Sequence, residues 1–196
     1  MTPRRSLPRP RRDAFSLIEL MIVLTIVGVI GGMAIPHLNL SVYRADAAAA
    51  QVRSVFTTAQ RTSLTRQYDV IVSVDTVKVG LRIAEDKDNS GSIDATEIRF
   101  WRPPGEGNAF ARPTSGVFIT SPPASVVGGS LKTVDNMPSI VFHRDGSTSS
   151  DAEIYMSSTY RGRVDFRAIT LTRSTGRADL YRLAGTGTSA KWEVVQ

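Results

Sequence analysis

Between Phe15 and Ile35 the chain reads FSLIELMIVLTIVGVIGGMAI, 21 residues that carry one charge, Glu19. Coiled as a helix this run is about 31 Å long, enough to cross the hydrocarbon core of a bilayer. Arg4, Arg5, Arg9, Arg11 and Arg12 precede it against a single acid, Asp13. Such a basic flank stays on the cytoplasmic side and sends the rest of the chain outward. A cleaved secretory signal has a shorter apolar core of ~7–15 residues. An ionisable group at the centre of a membrane helix costs ~2.5–3.5 kcal/mol, less toward the interface, which makes Glu19 a candidate functional residue.

The same flank explains most of the basic character. Five arginines against one aspartate put +4 of the formal +6 within the first 14 residues, so bulk charge says little about the remainder. The 196 residues hold no cysteine, which excludes disulfides and thiolate metal sites. A hydrophobic fraction of 41% is sufficient for one ordinary core.

The string Ala14-Phe15-Ser16-Leu17-Ile18-Glu19-Leu20 resembles the leader junction of type IV pilin-like proteins. In that family a small residue precedes the cut, usually glycine where this chain has Ala14. The resemblance implies cleavage by prepilin peptidase between Ala14 and Phe15, N-methylation of Phe15, and Glu19 as fifth residue of the mature chain. Pro36 matches a helix-kinking proline common in pilins. It also implies an inner-membrane anchor with its N-terminus in the cytoplasm and a periplasmic body. A carboxylate in a membrane needs a cationic partner, and the free amine of Phe15 on a neighbouring subunit would supply one, so Glu19 would set subunit register.

From Asn39 to Tyr68, Ala45, Ala48, Ala49, Val52, Val55, Phe56 and Ala59 recur at helical spacing. Beyond Tyr68 short β-rich runs alternate with Gly, Pro, Ser and Asp clusters. The expected strands are Asp69 to Val74, Val77 to Ala84, Ile98 to Trp101, Val117 to Ile119, Ser139 to His143, Ile154 to Ser157, Val164 to Leu171, Ala178 to Leu183 and Trp192 to Val195. Pro103 to Pro138 holds six of the ten prolines and reads mostly as loop. The fold class is α+β: leader 1–14, membrane helix 15–36, amphipathic helix 37–68, and an antiparallel β-sheet body 69–196.

The strings IVFHRDG (140–146), EIYM (153–156), AITL (168–171) and TGR (175–177) are similar to the closing strands of H-type minor pseudopilins of type II secretion and of fimbrial T-type minor pilins. The first resemblance implies a structural, non-enzymatic subunit of a pseudopilus, with other pseudopilins as partners; the second, a pilus subunit able to bind DNA.

Asp86-Lys87-Asp88-Asn89-Ser90-Gly91-Ser92-Ile93-Asp94-Ala95-Thr96-Glu97 fits a twelve-residue EF-hand calcium loop, with oxygen side chains at 1, 3, 5 and 9, glycine at 6 and glutamate at 12. The expected Ca2+ ligands are Asp86, Asp88, Ser90, Asp94, Glu97 and the carbonyl of Ser92. The flanks favour strands, so the loop is expected in a hairpin; the alternative is a polar turn that binds nothing.

Arg161 to Gln196 holds seven cations against three acids. Arg161, Arg163, Arg167, Arg173 and Arg177 could form a phosphate-binding strip for DNA, or simply a solvated sheet face. Catalysis finds little support: His37 falls at the membrane exit, and His143 is expected to end a strand. A third reading is a signal-anchored calcium-binding domain unrelated to pili.

Overall fold

The computed structural model describes residues 16–34, 40–97, 99–113, 116–119, 127–128, 131–185 and 187–195. The chain divides into two units, Met1–Asn39 and Leu40–Gln196.

The first unit contains α1 (Leu17–Ala34). Apart from Glu19 and Thr25 its residues are apolar, and Leu17, Ile18, Leu20, Leu24 and Ile30 are each more than half exposed. Thr25 satisfies its hydroxyl inside the helix on the carbonyls of Met21 and Ile22. Among the described residues no helix is long and apolar enough to cross a membrane. The 18 residues of α1 make about 27 Å, short of the ~30 Å core. Phe15 and Ile35, which the longer apolar run includes, lie outside the described residues, as do Pro36 and His37.

The second unit begins with α2 (Leu40–Arg66) and continues as β1 (Asp69–Asp75), β2 (Gly80–Asp86), β3 (Arg99–Arg102), β4 (Asn108–Phe110), β5 (Val127–Gly128), β6 (Lys132–Val134), β7 (Met137–Phe142), β8 (Ala152–Tyr160), β9 (Arg163–Leu171), β10 (Ala178–Ala184) and β11 (Lys191–Val194). Two antiparallel sheets result, in the orders β3-β2-β1-β7-β6 and β11-β10-β9-β8-β4, with β5 also paired to β8. The layout is the expected α+β one, a helical N-terminal part followed by antiparallel sheet.

Helix α2 packs on both sheets. Ala48, Ala49, Val52, Phe56 and Ala59 enter one core with Val70, Val72, Leu81, Ile140 and Phe142 of the first sheet and Ile154, Met156, Ile169 and Leu180 of the second. The alanines let the helix approach closely, and Phe56 fills the gap, its ring 6.3 Å from that of Phe142. Burying a side chain of this size contributes ~1.5–3 kcal/mol. Strand β1 is buried on both faces: Ile71 points away from α2 into a second cluster with Ala84, Ile93, Val134 and Val141.

Two strand expectations need correction. The run from Val77 does not begin a strand: the carboxylate of Asp75 accepts the N–H groups of Val77 and Lys78 and folds residues 76–79 into a turn, and β2 starts at Gly80. Val117 to Ile119 is no strand either. It is a loop pinned by side chains, the indole of Trp192 donating to the Val117 carbonyl (3.1 Å) and the Tyr155 hydroxyl accepting the Ile119 N–H (3.1 Å). The proline-rich stretch supplies β4, β5 and β6, which sequence periodicity does not mark because each is only two or three residues long.

Candidate functional site

At the start of α1, Ser16 accepts the N–H of Glu19 on its hydroxyl at 3.2 Å. Serine followed three residues later by glutamate is a helix-capping pair, a signal readable in the sequence but not used there. It fixes the helix start and places Glu19 in the first turn, where the helix dipole favours an anion. Glu19 is exposed and is the one ionisable residue of α1. Ala14 and Phe15 lie outside the described residues.

The loop after β2 brings three of the expected calcium ligands together. Carboxylate oxygens of Asp86, Asp88 and Glu97 lie within 4.8 Å of one another. Asp86, at the end of β2, is fully buried and accepts the N–H of Ser90 (2.9 Å) and of Gly91 (2.7 Å). Asp88 also accepts the Ser90 N–H (3.0 Å). Glu97 folds back to accept the N–H groups of Lys87 (2.9 Å) and Asp94 (3.0 Å), which closes the loop on itself. The hydroxyls of Ser90 and Ser92 are 2.9 Å apart. Gly91 has a φ of +72°, the left-handed conformation that the sharp turn requires.

The rest of the loop is held from below and from the sides. Ile93 inserts into the second apolar cluster on the first sheet. Lys132 donates to the Gly91 carbonyl, and Arg99 donates to the carbonyls of Ile93 (3.3 Å) and Asp94 (2.7 Å). Asp94 stands outside the converging carboxylates, the position that in EF-hand loops often reaches the ion through water. Burial pushes the Asp86 carboxyl up against the pull of the Gly91 and Ser90 N–H groups, and the Asp88 and Glu97 carboxylates add to the rise. The Ser90 N–H holds Asp88 below its ordinary value. Crowded acids on a shaped, oxygen-rich loop are the donor set that a hard divalent cation takes.

The five arginines of the expected phosphate strip do not form one. Arg167 is 2% exposed, donating from Nε to Asp46 at 2.6 Å and to the carbonyls of Phe166 and Val42. It separates Arg161 and Arg163, at the β8–β9 turn, from Arg173 and Arg177 beyond the far end of β9. Ten residues of strand-like chain between Arg163 and Arg173 correspond to about 33 Å. Arg177 is paired with Asp179 at 2.8 Å. His143 lies 2.8 Å from the Asp69 carboxylate and joins the end of β7 to the start of β1.

Residues 9–35 match the prokaryotic N-terminal methylation motif. This indicates a type IV pilin-like chain. The match covers the leader junction and the described helix α1, and it points to a subunit that is processed by prepilin peptidase and assembles with other pilins, with its N-terminus anchored in a membrane. Comparison with curated proteins and with solved structures finds no match.

Proposed function

We propose that the chain is an H-type minor pseudopilin, a structural and assembly subunit of the type II secretion pseudopilus. The observation that carries the reading is Glu19: the one ionisable group of a helix apolar on every side, inside a match to the N-terminal methylation motif. A lone carboxylate in such a helix is costly unless another subunit answers it. The amine of Phe15, freed by cleavage after Ala14, would answer it in a filament. The membrane run then spans the inner membrane once, the arginine-rich leader lies in the cytoplasm, and the body lies in the periplasm.

The loop from Asp86 to Glu97 is proposed as a Ca2+ site of the body, with Asp86, Asp88 and Glu97 as direct ligands, Ser90 and the Ser92 carbonyl completing the shell, and Asp94 acting through water. The ion would neutralise the crowded carboxylates and fasten the loop to the first sheet. A pilus subunit that takes up DNA is the alternative, and burial of Arg167 removes the centre of the basic strip on which it rested.

The test is the protein content of culture supernatant from a deletion strain complemented with the parent chain or with Glu19→Ala. The reading expects secreted enzymes to be retained in the periplasm on deletion and on Glu19→Ala complementation. Unchanged secretion in the deletion strain would overturn it.

A further inference from the structure

The β8–β9 hairpin closes on Arg161 and Gly162, both with positive φ (49° and 79°), so that Tyr160 faces Arg163 across a two-residue turn. Arg44, in the first turns of α2, lies with its guanidinium 4.4 Å from the centre of the Tyr160 ring, and that of Arg161 lies 5.4 Å from it. Arg44, Arg161 and Arg163 are all exposed, and none forms an ion pair among the described residues. The nearest acid on this face of α2, Asp46, is already taken by Arg167. Tyr43, next to Arg44 on α2, is 66% exposed. Three exposed guanidiniums, two of them at a tyrosine ring, with a second, exposed tyrosine next to Arg44, have the composition of a membrane-interface surface.

The location of the cluster is informative. Strand β9 and α2 run in the same direction, since Arg167 meets Val42 and Asp46, while the carbonyl of Ala178, paired with Leu171, accepts from Arg53 further along the helix. Arg163 lies four residues before Arg167, about 13 Å along the strand, and therefore reaches past Leu40, where α2 begins. This is the end of the body at which the chain arrives from the apolar run. Ile35 and Leu40 are five peptide steps apart, at most about 18 Å of chain.

We infer that Arg44, Arg161 and Arg163 form a docking surface for anionic phospholipid headgroups, which holds the end of the body against the membrane that anchors the same chain. The inference rests on the membrane-anchored reading above. Each arginine near an anionic surface contributes roughly a fivefold gain in association, and tyrosine suits the headgroup zone. Such docking orients the body before assembly and is released by salt.

The chain has no cysteine, so a single spin label can be placed at Ala47→Cys, an exposed position on α2 about one turn beyond Arg44 and outside the cluster. Full-length protein is placed in nanodiscs of phosphatidylcholine with or without phosphatidylglycerol, and access of a water-soluble nickel chelate to the label is measured. Docking predicts a several-fold loss of access in the anionic discs, reversed by high salt. The docking constant falls roughly 25-fold in Arg161→Gln/Arg163→Gln, at about fivefold per arginine. Equal access in both discs, for protein that co-elutes with them, overturns the docking surface alone; failure to co-elute overturns the anchored reading as well. Protection by added duplex DNA but not by anionic lipid assigns the cluster to nucleic acid and overturns the inference.

Discussion

Arg167 of β9 reaches Asp46 of α2 at 2.6 Å, and its guanidinium is almost completely buried between the helix and the second sheet. The pair ties helix to sheet at a point 121 residues apart in sequence. Removing one partner of a buried pair leaves an uncompensated charge at a cost of ~3 kcal/mol or more. Asp46→Ala is therefore expected to lower the midpoint of thermal unfolding by about 6–12 °C, at roughly 2–4 °C per kcal/mol for a body of this size. A midpoint within 2 °C of the parent, roughly under 1 kcal/mol on that scale, would remove the pair from the account of stability.

The core of the body predicts a second mutational result. Phe56 has no exposed surface and is in contact with the first sheet through Phe142. Phe56→Ala should cost ~3–5 kcal/mol as lost burial plus cavity, read as a shift in the urea midpoint, whereas Val77→Ala, at a turn position 90% exposed, should stay within about 0.5 kcal/mol.

Calcium should stabilise the body if the Asp86–Glu97 loop holds it. At free calcium about 100 times its dissociation constant the gain is ~2.7 kcal/mol, visible as a higher unfolding midpoint and as heat in a calorimetric titration. Glu97→Gln should weaken both; because its amide keeps one of the two oxygens that accept the Lys87 and Asp94 N–H groups, the gain is read as the calcium-induced rise above each protein's own metal-free midpoint. No heat from the parent would exclude the site.

Alkaline titration offers an independent check of two buried phenols. Burial, and then the neighbouring Glu85 carboxylate, raise Tyr68 to about 12. Burial and the Glu153 carboxylate hold Tyr155 higher still. A raised folded-state value means that the neutral phenol favours the folded chain: this contribution is complete below the ordinary value of about 10 and is lost as pH rises through the folded value. Absorbance of phenolate should show Tyr68→Phe removing amplitude near pH 12 rather than near 10; loss near 10 would contradict its burial.

Several features of the fold and sites were legible because their signals are local. The capping pair Ser16 and Glu19, the helical spacing of Ala45 through Ala59, and the twelve-position loop from Asp86 each lie within a few turns of chain, and the structure brings Asp86, Asp88 and Glu97 together. What the sequence concealed depends on distant partners. Arg167 looks like any exposed basic residue until Asp46 is placed beside it. The loop at Val117 to Ile119 has β-forming residues, yet its backbone is occupied by the side chains of Tyr155 and Trp192 rather than by a strand. The cluster of Arg44 with Arg161 likewise exists only once α2 and the hairpin meet at Tyr160.

The central claim, that this is a processed type IV pilin-like subunit, is tested most directly by the mass of the N-terminal peptide of protein purified from membranes of cells with active prepilin peptidase. The account predicts a chain beginning at N-methylated Phe15, with Met1–Ala14 gone. A chain still beginning at Met1 would contradict it.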